Sequence, residues 1–265
     1  MHEFFPKNLL SKAAGLPGAR KTNFFAASQE VIQRTSPAAP ATQAAAFTPC
    51  DPPGPLTWTN YQGSVASGNS WSAETMSGIK VVTFNGNNRF QAVFDSTQSW
   101  ALPKYKTPSD NAVNGCQVTI IAMENFIRAH PGQSATYQRP TQLNCAATIL
   151  PNQVTARNIT ECTTVFGAEC KRAMGLESQR LLKHEKLHYA IACTLAKNAN
   201  NLIDNGRDFA AVHTGLLALY NKLNIDNGSG QGDYDVDTRH GCDQAKQNDW
   251  QTKVANGLTG YNIIS

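Results

Sequence analysis

The segment LLKHEKLHYAIA places a histidine, a glutamate and a second histidine in the order HExxH, at His184, Glu185 and His188. Residues four apart share one face of a helix, about 5–6 Å apart at Cβ, so both imidazoles can reach a single ion. The expected cofactor is one Zn2+, with metal–nitrogen bonds of ~2.0–2.1 Å. Glu185 emerges beside that face, where it can serve as general base for a metal-bound water without completing the shell. With the chain's 6 histidines and 8 glutamates, the pattern arises by chance roughly 0.004 times, so a chemical role outweighs coincidence. Leu181, Leu182, Ile191 and Leu195 continue an apolar helical pattern around it, as a rigidly backed metal helix requires.

A catalytic zinc takes a third protein ligand. No glutamate follows Glu185, which excludes a downstream Glu ligand, and the residues after His188 lack the Gly and His of HExxHxxGxxH. His213 falls on an apolar helical stripe and reads as a packing residue. His240, in the polar turn YDVDTRHG after a Gly-rich loop, is the better candidate, because loops on a rigid scaffold carry functional groups. Asp204 or Asp208 is the acidic alternative. Three neutral histidines would leave the ion its full charge and lower the pKa of bound water toward ~7. Tyr234 is a candidate donor to a developing oxyanion. Asp235 or Asp237 could fix the tautomer of a ligand imidazole.

The elements that must position these groups form an α+β chain. Three segments, LTWTNYQG, SWSAETMSGIKVVTF and RFQAVFDSTQSWAL, alternate and read as an antiparallel meander with turns at Gly68-Asn69 and Asn85-Gly86-Asn87-Asn88. Lys80–Phe84 and Arg89–Phe94 form the strongest hairpin. Helices are expected over GCQVTIIAMENFIRAHPG, from Glu177 to about Asn200, from Arg207 to Leu223 and from about Asp243, with loops between Gln133 and Cys170. Residues 1–46 read as an extension, because SPAAPATQAAA is a Pro/Ala-rich linker; residues 47–265 read as the zinc domain. FFAASQEVIQR within the extension could dock on a partner as a short amphipathic segment.

The 265 residues include 41% hydrophobic and only 16% charged side chains, with a mean hydropathy of -0.37. Such a chain buries a sizeable core and has an Asn/Gln/Ser/Thr-rich surface. The net charge is 23 − 19 = +4, and most of it lies in the extension, which leaves no basic face for nucleic acid. No apolar run approaches the ~18 residues of a membrane span.

These motifs together resemble a bacterial family of zinc-dependent HExxH peptidases catalogued as domain of unknown function 922. Its pattern is an opening LTW-x-x-F/Y-x-G strand, an LLxHExxH helix and a YDxxTxHG segment followed by Gln and Trp. Leu56-Thr57-Trp58 and Gly63, Leu181 to His188, then Tyr234, Asp235, Thr238, His240, Gly241, Gln244 and Trp250 match it. The resemblance spans about residues 55 to 258, interrupted by a longer, Cys-richer stretch from about 104 to 175. It implies a zincin-like metallopeptidase with His240 as third ligand.

Seven cysteines without a CxxC pair point to disulfides and an oxidising, exported setting, periplasmic or extracellular. The amino terminus lacks the 7–15-residue apolar core of a secretory signal, so either a signal is absent from this sequence or export uses another route, such as a secretion or injection system. Cys193–Cys242 would pin the third-ligand loop to the metal helix; Cys162–Cys170 and Cys116–Cys145 are further pairs, with Cys50 left over. The function expected is a zinc-dependent endopeptidase acting on a protein or peptide. The alternative is a cargo toxin or assembly component of a phage-tail-like injection system, with a structural zinc.

Overall fold

The computed structural model describes residues 46–65, 72–138, 151 and 153–264. The extension with its FF segment, the Gly68-Asn69 turn and Cys145 lie outside them. The architecture is mixed α and β, with small sheets packed on a long helix.

The hairpin forms where alternation predicts it, between β3 (Ser77–Phe84) and β4 (Asn87–Phe94), in register from Ser77 opposite Phe94 to Phe84 opposite Asn87. Asn85 and Gly86 turn the chain with φ of 50° and 78°. Both left-handed positions are what a two-residue type I′ turn demands. The rest of the expected meander differs. Strand β1 (Cys50–Asp51) pairs in parallel with β4, giving the order β1-β4-β3, while β2 (Ala73–Glu74) pairs separately with β5 (Trp100–Ala101). LTWTNYQG is not a strand. Asn60 Oδ1 accepts from both the backbone N–H and the hydroxyl of Thr57, at 2.7 and 3.1 Å, and this box folds Trp58–Asn60 into a 3-10 turn.

After a short helix α1 (Pro103–Lys106), α2 (Pro108–Ala129) runs beside the first part of α3 (Ile159–Asp204), with the pair β6 (Ala135–Gln138) and β7 (Gln153–Ala156) closing that end. Helix α3 has 46 residues and begins well before Glu177. The Gly and β-branched residues of TTVFG weaken local helix propensity, but Cys162, Phe166 and Cys170 are fully buried against Cys116, Ile120 and Met123 of α2. Tertiary packing carries the helix through that stretch. Asn158 caps it by accepting from Glu161 N at 2.9 Å.

The second half of α3 lies under the hairpin. Ile79, Phe90 and Ala92 from the sheet meet Ile191, Leu195 and Ala199. Asn200 clamps β4 by accepting from Phe90 N at 2.9 Å and donating to Phe90 O at 2.8 Å. Helix α4 (Phe209–Asn224) packs Val212, Leu216, Tyr220 and Leu223 into the same core. Helices α5 (Asp233–Thr238) and α6 (Gln244–Ala255) then return over the middle of α3, and Trp250 is fully buried beneath them.

The cysteine pairings differ from those expected. Cys50 pairs with Cys193, Cα atoms 5.3 Å apart, and Cys116 with Cys170 at 6.4 Å. Cys242 is disulfide-bonded and Cys162 is a buried free thiol. Helix geometry explains the corrections. Five residues carry Cys193 about 140° round the helix from His188, toward β1 rather than the His240 loop. Cys162 and Cys170 lie on one continuous helix, eight residues and about 12 Å apart, beyond disulfide reach. Cys116 meets Cys170 across the α2–α3 contact and so is not paired with Cys145. No described helix is long and apolar enough to cross a membrane.

Candidate metal centre

His184, Glu185 and His188 lie on α3, all at least nine-tenths buried. The opposite wall comes from α5 and the turn that ends it. Arg239, His240 and Gly241 have φ of 50°, 54° and 75°, three successive left-handed residues that reverse the chain and aim the His240 ring back at α3. A Cβ on Gly241 would lie 2.8 Å from both His184 Cβ and Arg180 Nη1, so only glycine lets the turn approach this closely. Arg180 fixes the turn by donating to His240 O at 3.1 Å, while a two-pronged ion pair with buried Glu177 holds its guanidinium.

Three imidazoles converge on one carboxylate oxygen. Asp235 Oδ1 lies 3.1 Å from His184 Nε2, 3.1 Å from His188 Nε2 and 3.5 Å from His240 Nδ1. A tetrahedral zinc shell with ~2.0–2.1 Å bonds spaces neighbouring donors by roughly 3.4 Å. The distances from Asp235 fall near that spacing and are also hydrogen-bond distances. The donor atoms of His184, Asp235 and His240 all lie within 4.8 Å of one another, a group that could hold a metal ion.

The outer nitrogens of the two helix imidazoles each face a side-chain amide. His188 Nδ1 is 2.7 Å from Asn224 Oδ1, and the Asn224 amide is oriented by donation to His188 O at 3.2 Å. His184 Nδ1 is 3.2 Å from Gln247 Oε1. Hydrogen on Nδ1, facing these acceptors, would leave each Nε2 a lone pair able to bind a metal, in place of the hydrogen bond that His184 Nε2 makes to Asp235 Oδ1. Burial pushes the His184 pKa down, against the hydrogen bond to Asp235, which favours the neutral ligand form. Burial opposes ionisation of Asp235, yet the surrounding imidazoles, His188 foremost, hold it well below the usual carboxylate range.

Asp235 thus stands at the Nε2 atoms of His184 and His188, where it could itself be a ligand, and not behind an imidazole. Asp237 is exposed and accepts from Trp250 Nε1 at 3.0 Å, 13 residues along. Tyr234 is fully buried; its ring stacks on His184 with centroids 4.7 Å apart, and its hydroxyl is shared between His184 O and Gln247 Oε1 at 3.0 and 2.9 Å. It supports the His184 ring from behind. The acidic alternatives are elsewhere, since Asp204 is ion-paired with Arg89 and Asp208 caps α4 through Ala211 N. His213 packs near Phe90 and Phe209, as its place on the stripe suggests.

Glu185 flanks the three-histidine cluster, with Oε2 accepting from the Thr75 hydroxyl at 2.7 Å. The open side of the site is at His240, whose side chain is 36% exposed against 2% for His184. Sequence reasoning did not single out Asn224, Gln247, Arg180 or Thr75. Two of them carried a signal: Asn224 follows Tyr220 by four on an apolar stripe, and Gln247 precedes Trp250 by three. An amide at a buried helical position needs a hydrogen-bond partner. Comparison with known protein families, with curated proteins and with solved structures finds no match in any of the three.

Proposed function

We propose that this chain is a zinc-dependent peptidase of the HExxH kind, with a zincin-like arrangement of sheet and metal helix. The observation that carries the reading is that His184 Nε2, His188 Nε2 and His240 Nδ1 all lie within 3.5 Å of Asp235 Oδ1, with His184, Asp235 and His240 close enough together to hold an ion and Glu185 next to His184 on the same helix. Those three imidazoles, with Asp235 as a fourth donor, are the residues that would hold the ion. Zinc so held supplies a Lewis acid for the scissile carbonyl and lowers the pKa of water.

The chain's own groups do the rest. Glu185 takes a proton from the attacking water at its carboxylate and delivers it to the leaving amine. Asn224 and Gln247 keep the two helix imidazoles in the tautomer that presents Nε2. Buried Tyr234 and Trp250 exclude water from the inner side of the cluster. Substrate would reach the site from the His240 side, and the disulfide pairs accord with an exported protein, periplasmic or extracellular.

A second reading is favoured by one observation. Asp235 supplies a fourth protein donor, and structural zinc sites are closed by four protein ligands whereas catalytic ones keep a position open. On that reading the ion stabilises a delivered cargo or assembly protein. Peptide cleavage by the zinc-loaded protein separates the two. The peptidase reading expects turnover that falls at least ~100-fold in Glu185→Gln with zinc retained. Absence of cleavage by a zinc-loaded, folded wild type across a mixed peptide library, with unfolding on zinc removal, would leave the structural site.

A further inference from the structure

LTWTNYQG has no role in holding the metal, yet it packs against the metal helix. Trp58 Nε1 donates to Ser178 Oγ at 2.9 Å, six residues before His184 on α3. The Tyr61 ring is pinned between Trp58 and Phe94, with centroids 5.0 and 5.3 Å away, and Lys106 donates to its carbonyl. Only 1% of Tyr61 is exposed. Its hydroxyl lies 3.0 Å from Thr75 Oγ1, and Thr75 Oγ1 lies 2.7 Å from Glu185 Oε2 and 3.1 Å from Glu185 O.

The direction of this chain follows from counting hydrogens. Neither the Glu185 carboxylate nor its backbone carbonyl donates, so the single Thr75 hydrogen goes to Glu185, nearer Oε2 at 2.7 Å than O at 3.1 Å, and the Tyr61 phenol must donate to Thr75. Burial, with the Glu185 charge adding to it, raises the Tyr61 pKa, so the phenol stays a donor. One oxygen of Glu185 is thereby occupied and the other left for a reacting group.

Resting on the peptidase reading, we propose that Thr75 is a positioning residue for the Glu185 carboxylate and that the Tyr61 hydroxyl orients Thr75 in turn. A glutamate free to rotate about its side-chain bonds visits the productive geometry only part of the time. A donor fixed on a neighbouring strand end removes that freedom, and misplacement by about 1 Å can cost on the order of 100-fold in rate. The opening motif and the HExxH helix then belong to one device, the first aiming the base that the second carries.

The test uses the full chain loaded with zinc and a cleaved peptide. Thr75→Val keeps the shape and removes the hydroxyl; Thr75→Ser keeps the hydroxyl and removes the methyl. The expected result is a fall in kcat of ~10-fold or more for Thr75→Val with KM within ~2-fold, recovery to within ~3-fold in Thr75→Ser, and unchanged zinc content. Tyr61→Phe should lower kcat less, and add nothing in the Thr75→Val background. Independently of turnover, urea unfolding of Thr75→Val, Glu185→Ala and the double variant should be non-additive, because the two groups share one hydrogen bond.

A Thr75→Val protein that keeps kcat within ~2-fold of an active wild type, or a Thr75→Ser protein impaired as deeply as Thr75→Val, overturns the proposal in favour of packing by the methyl group. If Thr75→Val does not fold, Tyr61→Phe carries the test, and kcat equal to wild type overturns it. A wild type that cleaves nothing overturns the peptidase reading itself and takes the positioning role with it; the unfolding cycle then reports the hydrogen bond alone.

Discussion

Of the three imidazoles around Asp235, His240 alone lies outside α3, and its Nδ1 is 3.5 Å from Asp235 Oδ1. Each of the four donors can be removed singly. His240→Ala should weaken zinc binding at least ~10-fold, whereas Asp204→Ala, on an exposed ion pair, should leave it unchanged. Competition against a chelating indicator measures both, and a reversed order would move the third ligand. Asp235→Asn keeps the shape and removes the charge opposite three nitrogens. If Asp235 is a ligand, the Co2+-substituted protein should change its visible absorption spectrum in this variant, because the donor set changes. An unaltered spectrum would return Asp235 to an outer role.

At the scale of elements, the site depends on a turn and two helix faces. Arg239–Gly241 is held left-handed against α3, and Gly241 has no room for a methyl group. Gly241→Ala should therefore cost about 1–3 kcal/mol in metal-free stability by urea unfolding and weaken zinc binding through displacement of His240. Asn224 ends α4 and Gln247 lies on α6, each with its amide oxygen on an imidazole Nδ1. Asn224→Leu and Gln247→Leu should each lower zinc affinity by ~10–100-fold, as loss of an orienting partner usually does. Retention of full affinity in both would separate those amides from the ligands.

At the scale of the whole molecule, α3 is the spine, about 69 Å long for its 46 residues at 1.5 Å each. One half packs on α2 and the β6–β7 pair, the other carries the hairpin, and His184 and His188 lie between them, where α5 and α6 cross. A ligand bound only in the folded state adds stability by mass action, ~2.7 kcal/mol at a hundredfold excess over its Kd. Chelation should accordingly lower the thermal midpoint, and zinc should restore it. Cys50–Cys193 ties β1 to α3 across 143 residues of sequence. Replacing both cysteines with serine should cost about 2–5 kcal/mol, read by urea unfolding under non-reducing conditions.

Local pattern determined a good deal of this. HExxH spacing at 3.6 residues per turn puts His184 and His188 on one face wherever the helix lies, and Asn-Gly between alternating runs makes the β3–β4 hairpin, because both effects act over a few residues. The same period placed α4 and the start of α6 within two residues of their observed ends. What the fold decided acts across distance. Helix α3 continues back to Ile159 through weak formers because α2 covers that stretch. LTWTNYQG forms a turn, not a strand, since a side-chain box outcompetes alternation. The cysteine partners follow from which way each residue faces on a helix whose length the sequence understated. Asp235 reads as an outer residue until α5 brings its carboxylate to the point where three imidazoles meet. Residue type and spacing name the groups that can do chemistry, while the packing of separate elements determines which atoms meet.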